Sequence, residues 1–188
     1  GHVPGFLALA AKSMNKQGGT PLRVLEINSV CGSGSTGRIC TDIAGLLEQR
    51  GDPCAVAYGR GHVPEAAQKY AHPIGTAWDC RLHGLETRLF DAHGFGSRRA
   101  TREFLRWAED WKPDVAHLHN LHGYYLQVEE LFAFLKANGL PVVWTLHDCW
   151  AFTGHCAYFS GAGCGRWREG CRSCPLTREY PACYGFSN

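Results

Sequence analysis

Residues 22–37 read LRVLEINSVCGSGSTG, an apolar segment followed by a loop rich in glycine and serine. The pattern of Leu22–Asn28 predicts a buried β-strand. Beyond the loop, apolar residues at helical spacing predict a helix over Thr36–Gln49, and Gly51 follows as its stop signal. A strand, a glycine loop and a helix in this order form the first unit of a parallel sheet.

The same alternation continues along the chain. Three more strands are predicted, at Cys54–Tyr58, Asp114–Leu118 and Pro141–Leu146. Three more helices are predicted. The first carries Trp78, Leu82, Leu85, Leu89 and Phe90, and the last carries Val128, Leu131, Phe132 and Leu135. The helix between them spans about Ser97–Trp111, with Phe104, Ala108 and Trp111 inward. The fold class is therefore a Rossmann-like α/β layer, with a parallel sheet, right-handed crossovers and helices on both faces. Ligands of such sheets bind at the carboxyl ends of the strands.

Composition limits the classes of function. The 188 residues are 45% apolar and 12% aromatic, enough to bury a core, and the net charge of +2 gives no reason to expect a nucleic-acid partner. No stretch of about 18 uninterrupted apolar residues is present, so no transmembrane helix is expected. Met14 is the only methionine, and we expect natural translation to begin there.

The chain divides into three predicted parts. Residues 1–20 are expected to be a flexible leader or an expression remnant. Residues 21–148 form the Rossmann-like domain. Residues 149–188 form an irregular, cysteine-rich appendage.

The glycine loop is a candidate phosphate site. It matches the pattern G-x-G-x-x-G between a strand and a helix, where backbone amides at the helix start attract an anion. The candidate residues are Gly32, Gly34, Ser35, Thr36, Gly37 and Arg38. An NAD site would also have an acidic residue after the second strand, but Tyr58-Gly59-Arg60 stands there, which disfavours NAD and leaves NADP admissible. A glycine turn without a ligand also remains open.

Polar residues follow two of the predicted strands. His117, His119, Asn120, His122 and Tyr124 belong to the third strand and its loop, and His147 and Asp148 follow the fourth. Imidazole suits hydrogen bonding to sugar hydroxyls or phosphates and proton transfer near pH 7. We expect His119, His147 and the Gly32–Gly37 loop to line one open crevice, with both imidazoles partly exposed. A single histidine is more often structural, and that alternative stays open.

Six of the ten cysteines lie within residues 149–188. Cys156, Cys164, Cys171 and Cys174 could close a tetrahedral shell of four thiolates around a structural zinc ion, with no open position for catalysis. Cys171 and Cys174 form a C-x-x-C pair followed by Pro175. Free packed thiols, an iron–sulfur cluster and a disulfide are the alternatives. Because the chain shows no export signal, the cysteine clustering favours a reducing cytoplasm.

Several short runs together carry a resemblance to a known family. They are INSVCG at 27–32, STGRI at 35–39, RLHG at 81–84, HGFGS at 93–97, HLHN at 117–120 and TLHDCW at 145–150. These runs resemble the N-terminal part of glycosyltransferase family 4 enzymes, most of all the bacterial subgroup that makes exopolysaccharide, colanic-acid-like or lipopolysaccharide glycans. The resemblance covers roughly Pro21 to Tyr184, and its most specific part is WTLHDCWAFTGHCAY at 144–158.

The resemblance implies a retaining transferase of the two-domain GT-B kind, with a nucleotide-sugar donor, a glycan or lipid-linked acceptor and no catalytic cofactor. It places the residues from Gly32 to Arg38 at the donor phosphates and makes His119 the catalytic candidate. The implied acceptor-binding residues are His117, Asn120, His122, Tyr124, His147 and Asp148.

The family's second domain, which binds most of the donor, has no counterpart in this sequence. The resemblance therefore implies an acceptor-side fragment that is inactive alone. It also implies a cytoplasmic location, at the inner face of the membrane if the protein associates with it peripherally.

Two other functions remain open. The fingerprint loop and Arg60 would suit an NADP-dependent oxidoreductase. The short length and the cysteine-rich end would suit a zinc-stabilised binding module without catalysis.

Overall fold

The computed structural model describes residues 20–153, 155–171 and 174–185. The predicted leader lies outside them except for Thr20. These residues form five strands and four α-helices, in the order β1 (Val24–Asn28), α1 (Gly34–Gln49), β2 (Cys54–Tyr58), β3 (Ala71–Pro73), α2 (Ala77–Phe90), α3 (Arg98–Trp111), β4 (Val115–Leu118), α4 (Val128–Ala137) and β5 (Val142–Trp144). All strand pairs are parallel and the sheet order is β3-β2-β1-β4-β5. The predicted Rossmann-like α/β class is confirmed.

The four predicted strands are present in one sheet, but a fifth was missed. β3 is only three residues long and ends in Pro73 at the sheet edge. Proline cannot donate a ladder hydrogen bond, so it is tolerated at an edge and gives no strand signal in sequence. The last strand is shorter than the predicted Pro141–Leu146.

Side chains of the strands alternate between two buried layers. Leu25 and Ile27 of β1 pack in the larger core with Phe104 of α3 and Leu131 of α4. On the other face, Val56 of β2 packs with residues of α1, Cys40 and Ala44. Helices therefore cover both faces, and the period-two alternation puts Glu26 on the α1 side, where the Cys40 thiol contacts it.

The apolar row of α2 faces outward. Trp78, Leu82, Leu85, Leu89 and Phe90 are all exposed, with Trp78 at 70% and Phe90 at 69%. In the described part of the chain, no helix has the length and apolar content needed to cross a membrane.

The cysteine-rich segment packs against the α/β body. Beyond residue 148, the described regular structure consists of short 3₁₀ turns at Trp150–Phe152, Ser160–Ala162 and Arg166–Arg168. His155 Nδ1 lies 2.9 Å from Asp91 Oδ1, and the backbone amide of Tyr184 donates to the carbonyl of Arg88. These contacts fix both ends of the segment against the C-terminal end of α2.

Stability is expected to fall as the pH is lowered, because His83 is buried in its neutral form. Burial lowers the pKa of His83 from 6.5 to about 4, so the fold binds its proton less readily than the unfolded chain does. The stabilisation is complete above pH 6.5 and is lost as the pH falls toward 4, by about 2 kcal/mol between pH 7 and pH 5. Urea unfolding at pH 7 and at pH 5 gives the free energy of unfolding at each pH. Between these two pH values, it should fall by that amount less in His83→Gln than in the wild type. The exposed-site control His62→Gln should keep the whole drop. Equal drops in His83→Gln and the wild type would contradict this assignment.

Candidate active site at the carboxyl edge of the sheet

A buried carboxylate holds two histidines beside the ends of β1 and β4. Glu26 is fully buried, with Oε1 3.1 Å from His117 Nδ1 and Oε2 2.5 Å from His119 Nε2. Burial alone would raise the pKa of Glu26, but the hydrogen bonds and charges of the two histidines outweigh it and lower the pKa below its usual value. Glu26 is therefore an ionised acceptor with two N–H donors.

This arrangement fixes the protons on a chain of imidazoles. With Nε2–H of His119 donating to Glu26, a neutral His119 has a bare Nδ1, which lies 2.9 Å from Nε2 of His147. His147 Nε2 then carries the proton, and its Nδ1 keeps a lone pair. Burial lowers the pKa of His147, which favours the neutral ring near pH 7, and a proton on His119 would lower it further. The chain of imidazoles thus ends in a hydrogen-bond acceptor on the half-buried His147.

The placement of His119 differs from the expected partial exposure. The residue is only 2% exposed, and both ring nitrogens already have protein partners. It is buried because its side chain points to the same sheet face as Glu26. A substrate could therefore hydrogen-bond to the His119 ring only if one of these two contacts opened.

The predicted acceptor residue His117 is half-buried. Its Nε2 lies 2.8 Å from the hydroxyl of Thr145 at the end of β5. Because Nδ1 donates to Glu26, a ring with a single proton accepts from that hydroxyl through Nε2. Thr145 itself is exposed, so this pair forms the outer wall of the histidine group.

Asn28 connects the glycine loop to this group. Its amide nitrogen donates to Val30 O at 2.8 Å and lies 3.2 Å from Thr36 Oγ1, while its Oδ1 accepts from the backbone amide of Asn120 at 3.3 Å. One buried side chain therefore sets the spacing between the start of α1 and the loop after β4.

The glycines of the loop serve different purposes. Gly32 has φ +66°, and a Cβ there would lie 2.8 Å from the Cβ of Ala67. A Cβ at Gly37 would meet Val30 at 3.0 Å. Both are packing requirements, whereas Gly34, with φ +64°, has open space beside it. A ligand can approach the backbone at Gly34.

The exposed side of the loop combines polar groups with one cation. Gly34, Ser35 and Arg38 are exposed, and Arg38 Nε donates to the carbonyl of Gly34 at 3.1 Å. The N-cap residue Ser33 makes no side-chain capping bond, and the first turn of α1 has no acidic residue. The start of this helix therefore keeps its attraction for an anion.

A second group of polar side chains lies next to His147. His122 Nε2 is 2.6 Å from Asp148 Oδ2, and His122 Nδ1 is 3.2 Å from the hydroxyl of Tyr180. Burial would raise the pKa of Asp148, but hydrogen bonds from His122 and from the amide of Trp150 lower it, so the carboxylate is ionised. A small cavity is lined by residues of both groups, among them His119, Asn120, His122, His147, Asp148 and Trp150.

Tyr124 belongs to an aromatic cluster around His93. The two ring centroids are 4.8 Å apart, and Tyr180 lies 5.6 Å from His93. His93 Nε2 accepts from the backbone amide of Gly123, and burial with the charge of His122 lowers the pKa of His93 to about 2. The neutral ring thus carries its proton on Nδ1, which is buried and has no partner among the described residues.

Arg60 is directed toward this aromatic cluster. Its guanidinium hydrogen-bonds Tyr180 and lies near Gly123. The arginine that made NADP admissible is therefore engaged by the loop after β4.

Glu26, His117 and His119 also have the spacing of a metal site, with donor atoms within 4.8 Å of one another. Two ligands about 2.1 Å from one zinc ion at a tetrahedral angle lie roughly 3.4 Å apart. The 2.5 Å contact between His119 and Glu26 is shorter than that. This group fits direct hydrogen bonding better than shared metal coordination.

Three residues of the site were missed in the sequence. Glu26 had a signal, a charge in the middle of an otherwise buried strand. Asn28 ends the same strand and was counted only as part of it. Tyr180 had no usable signal, since nothing in the sequence shows that the cysteine-rich segment returns to His122.

Comparison with known proteins agrees with the motifs. A family model described as a glycosyl transferase 4-like domain matches residues 34–173. The chain is 30% identical over 171 residues to the putative colanic acid biosynthesis glycosyl transferase WcaC of Escherichia coli (strain K12), covering 85% of this chain and 41% of that protein. No match was found among solved structures. With this sheet and with the family model covering most of its length, the chain belongs to the glycosyl transferase 4-like domain family.

Proposed function

We propose that this chain is the acceptor-side part of a glycosyltransferase, which moves a sugar from a nucleotide-sugar donor to a glycan or lipid-linked acceptor in bacterial polysaccharide synthesis. The observation that carries the proposal is that the exposed Gly34 loop and the half-buried His147 both lie at the carboxyl edge of one parallel sheet. Family membership and the description of the E. coli relative as a colanic acid biosynthesis glycosyl transferase support the same class of reaction.

The donor's phosphates would bind at the start of α1. Gly34 leaves open space for a ligand, Ser35 is exposed, and Arg38 lies against the same loop. Uncapped amides and a guanidinium together suit a diphosphate. Thr36, held by Asn28, would fix the position of this loop relative to the histidines.

Acceptor hydroxyls would bind on the histidine side. His147 Nδ1 can accept a hydrogen bond from a sugar hydroxyl and orient its oxygen, while the ionised Glu26 stabilises any positive charge that reaches the imidazole chain. Asp148 and His122 line the adjacent cavity and can bind a second hydroxyl.

The chain spans 41% of the length of the relative it matches. We therefore expect these 188 residues alone to transfer no sugar and to need a donor-binding GT-B domain as a partner. We also propose that the reaction uses no catalytic cofactor and takes place in the cytoplasm. Peripheral membrane contact would use the exposed apolar row of α2 defined above.

Weak binding to the chain itself tests the proposal. We would record backbone amide NMR spectra of the 188-residue protein during titration with nucleotide sugars, nucleoside diphosphates, oligosaccharides and NADP. Nucleotide sugars should shift the amides at 33–38, and oligosaccharides should shift those at 119–124 and 145–148. Arg38→Ala should weaken the nucleotide response several-fold, and the matched control Arg50→Ala, at the far end of α1, should not.

Two other outcomes would count against the proposal. NADP binding with no response to any sugar would favour the oxidoreductase alternative. A lack of response to every ligand at millimolar concentration would favour a binding module without catalysis.

A further inference from the structure

Four thiols of the cysteine-rich segment line one small cavity. They are Cys156, Cys164, Cys171 and Cys174, and no disulfide joins any two of them. The cavity has a volume of about 10 Å³, roughly the room that one water molecule or one ion needs.

The turn after Cys174 already has a contact that suits a thiolate. The backbone amide of Leu176 lies 3.4 Å from Cys174 Sγ, two residues before it. A peptide N–H directed at a sulfur stabilises the negative form of that sulfur. Free cysteines packed as small apolar residues would not need this donor.

The walls of the cavity suit a charged metal–thiolate group. Phe159 and Trp167, whose ring centroids are 5.0 Å apart, keep one side apolar, and Pro175 and Leu176 form another part of the wall. Arg166 lines the same cavity. One Zn²⁺ with four thiolates has a net charge of −2, which a guanidinium partly offsets.

We propose that Cys156, Cys164, Cys171 and Cys174 bind one structural zinc ion, which fixes the wall of the candidate active site formed by Asp148 and Tyr180. Binding converts four thiols to thiolates and releases their protons to solvent, with no change of oxidation state. Four protein ligands leave no coordination position for a substrate, so the ion is not catalytic.

The spacing of the thiols gives the ion a folding role. Among the described residues, only Glu26, His117 and His119 have three donor atoms within 4.8 Å of one another. The thiols share a cavity without that tight spacing, so their loops have to tighten when the ion binds. The binding free energy then becomes folding free energy of this segment.

The position of the cluster explains how it would reach the site. Cys156 lies eight residues after Asp148, and Tyr180 lies six residues after Cys174. Asp148 and Tyr180 are the two partners of the His122 ring. A zinc ion that ties the intervening chain together thus holds both partners at their distances from His122.

Metal content of the 188-residue protein tests the proposal. Protein produced with zinc present should retain about one equivalent, and cobalt substitution should give the thiolate-to-metal absorption of a tetrahedral site. Cys171→Ser should lose the metal. Cys183→Ser is the matched control, because Cys183 is buried in the same segment but does not line the cavity.

A second readout separates zinc binding from its effect on the site. Chelation should change the ¹⁵N signals of the His122 imidazole while far-ultraviolet circular dichroism keeps the α/β signal. Well under one equivalent of zinc with four titratable thiols would overturn the metal site, as would equal metal loss in Cys183→Ser or the absorption of an iron–sulfur cluster. Stoichiometric zinc whose removal leaves His122 unchanged would overturn its role at the active site. Neither failure would affect the sugar-binding test above.

Discussion

Glu26→Gln is expected to lower the free energy of unfolding at pH 7 by about 3 kcal/mol. The side chain is fully buried and accepts N–H bonds from two imidazoles. A glutamine keeps the shape but has one acceptor oxygen and one NH₂ group, so one histidine N–H would face another donor. One imidazole has to change its tautomer, and the proton positions along His119 and His147 change with it. Urea unfolding at pH 7 measures the loss.

Glu48→Gln is the matched control. Glu48 is also a hydrogen-bonded carboxylate, with Lys69 and Tyr70 as partners, but it is exposed on α1. Exposed ion pairs contribute at most about 1 kcal/mol. If Glu26→Gln costs no more than Glu48→Gln, the buried carboxylate does not organise the site as described.

Gly59→Ala is expected to destabilise the fold by about 3 kcal/mol, at the upper end of what overpacking costs. A Cβ at residue 59 would lie 2.0 Å from the Cβ of Tyr125 and 2.1 Å from its Cγ. Tyr125 is fully buried, and its hydroxyl donates to the carbonyl of Asn120 at 2.8 Å. The ring cannot move away without breaking that bond and shifting the loop after β4. Thermal and urea unfolding should both report the loss.

Gly45→Ala gives the opposite expectation within the same fold. A Cβ at residue 45, inside α1, would meet nothing closer than the Tyr70 hydroxyl at 3.9 Å. Alanine is favoured over glycine in a helix by about 1 kcal/mol, so this variant should be slightly more stable. A Gly59→Ala protein as stable as Gly45→Ala would show that the backbone just after β2 is free to move away from Tyr125.

Sequence periodicity predicted most of the fold because strongly patterned segments dominate it. The helix over about Ser97–Trp111 was placed almost to the residue, and its inward residues Phe104 and Ala108 are buried. β3 was not predicted, because three residues that end in proline are too few to show the alternation of apolar and polar side chains typical of a strand. The apolar row of α2 predicted a helix correctly, yet it faces outward. Periodicity shows that a helix has an apolar face, but not what covers that face.

The candidate site was only partly predictable. Parallel topology brought the loops after β1, β4 and β5 to one edge, so the proximity of His119 and His147 followed from the strand assignments. The hydrogen bonds among these histidines did not follow from the sequence, because they depend on Glu26. Which residues Glu26 faces is known only once β1 and β4 are paired. That pairing places His117 beside Glu26. It also explains why His119 is buried instead of partly exposed, with its ring hydrogen-bonded to Glu26 and His147.

The protonation of the imidazole chain tests the central claim most directly. Long-range ¹H–¹⁵N spectra of the histidine side chains at pH 7 distinguish the protonated from the bare ring nitrogen. We predict protons on Nε2 of His119 and Nε2 of His147, a bare Nδ1 on His147, and a change at that Nδ1 when an oligosaccharide acceptor is added. A proton on Nδ1 of His147, or a spectrum of His147 that every sugar leaves unchanged, would contradict the account.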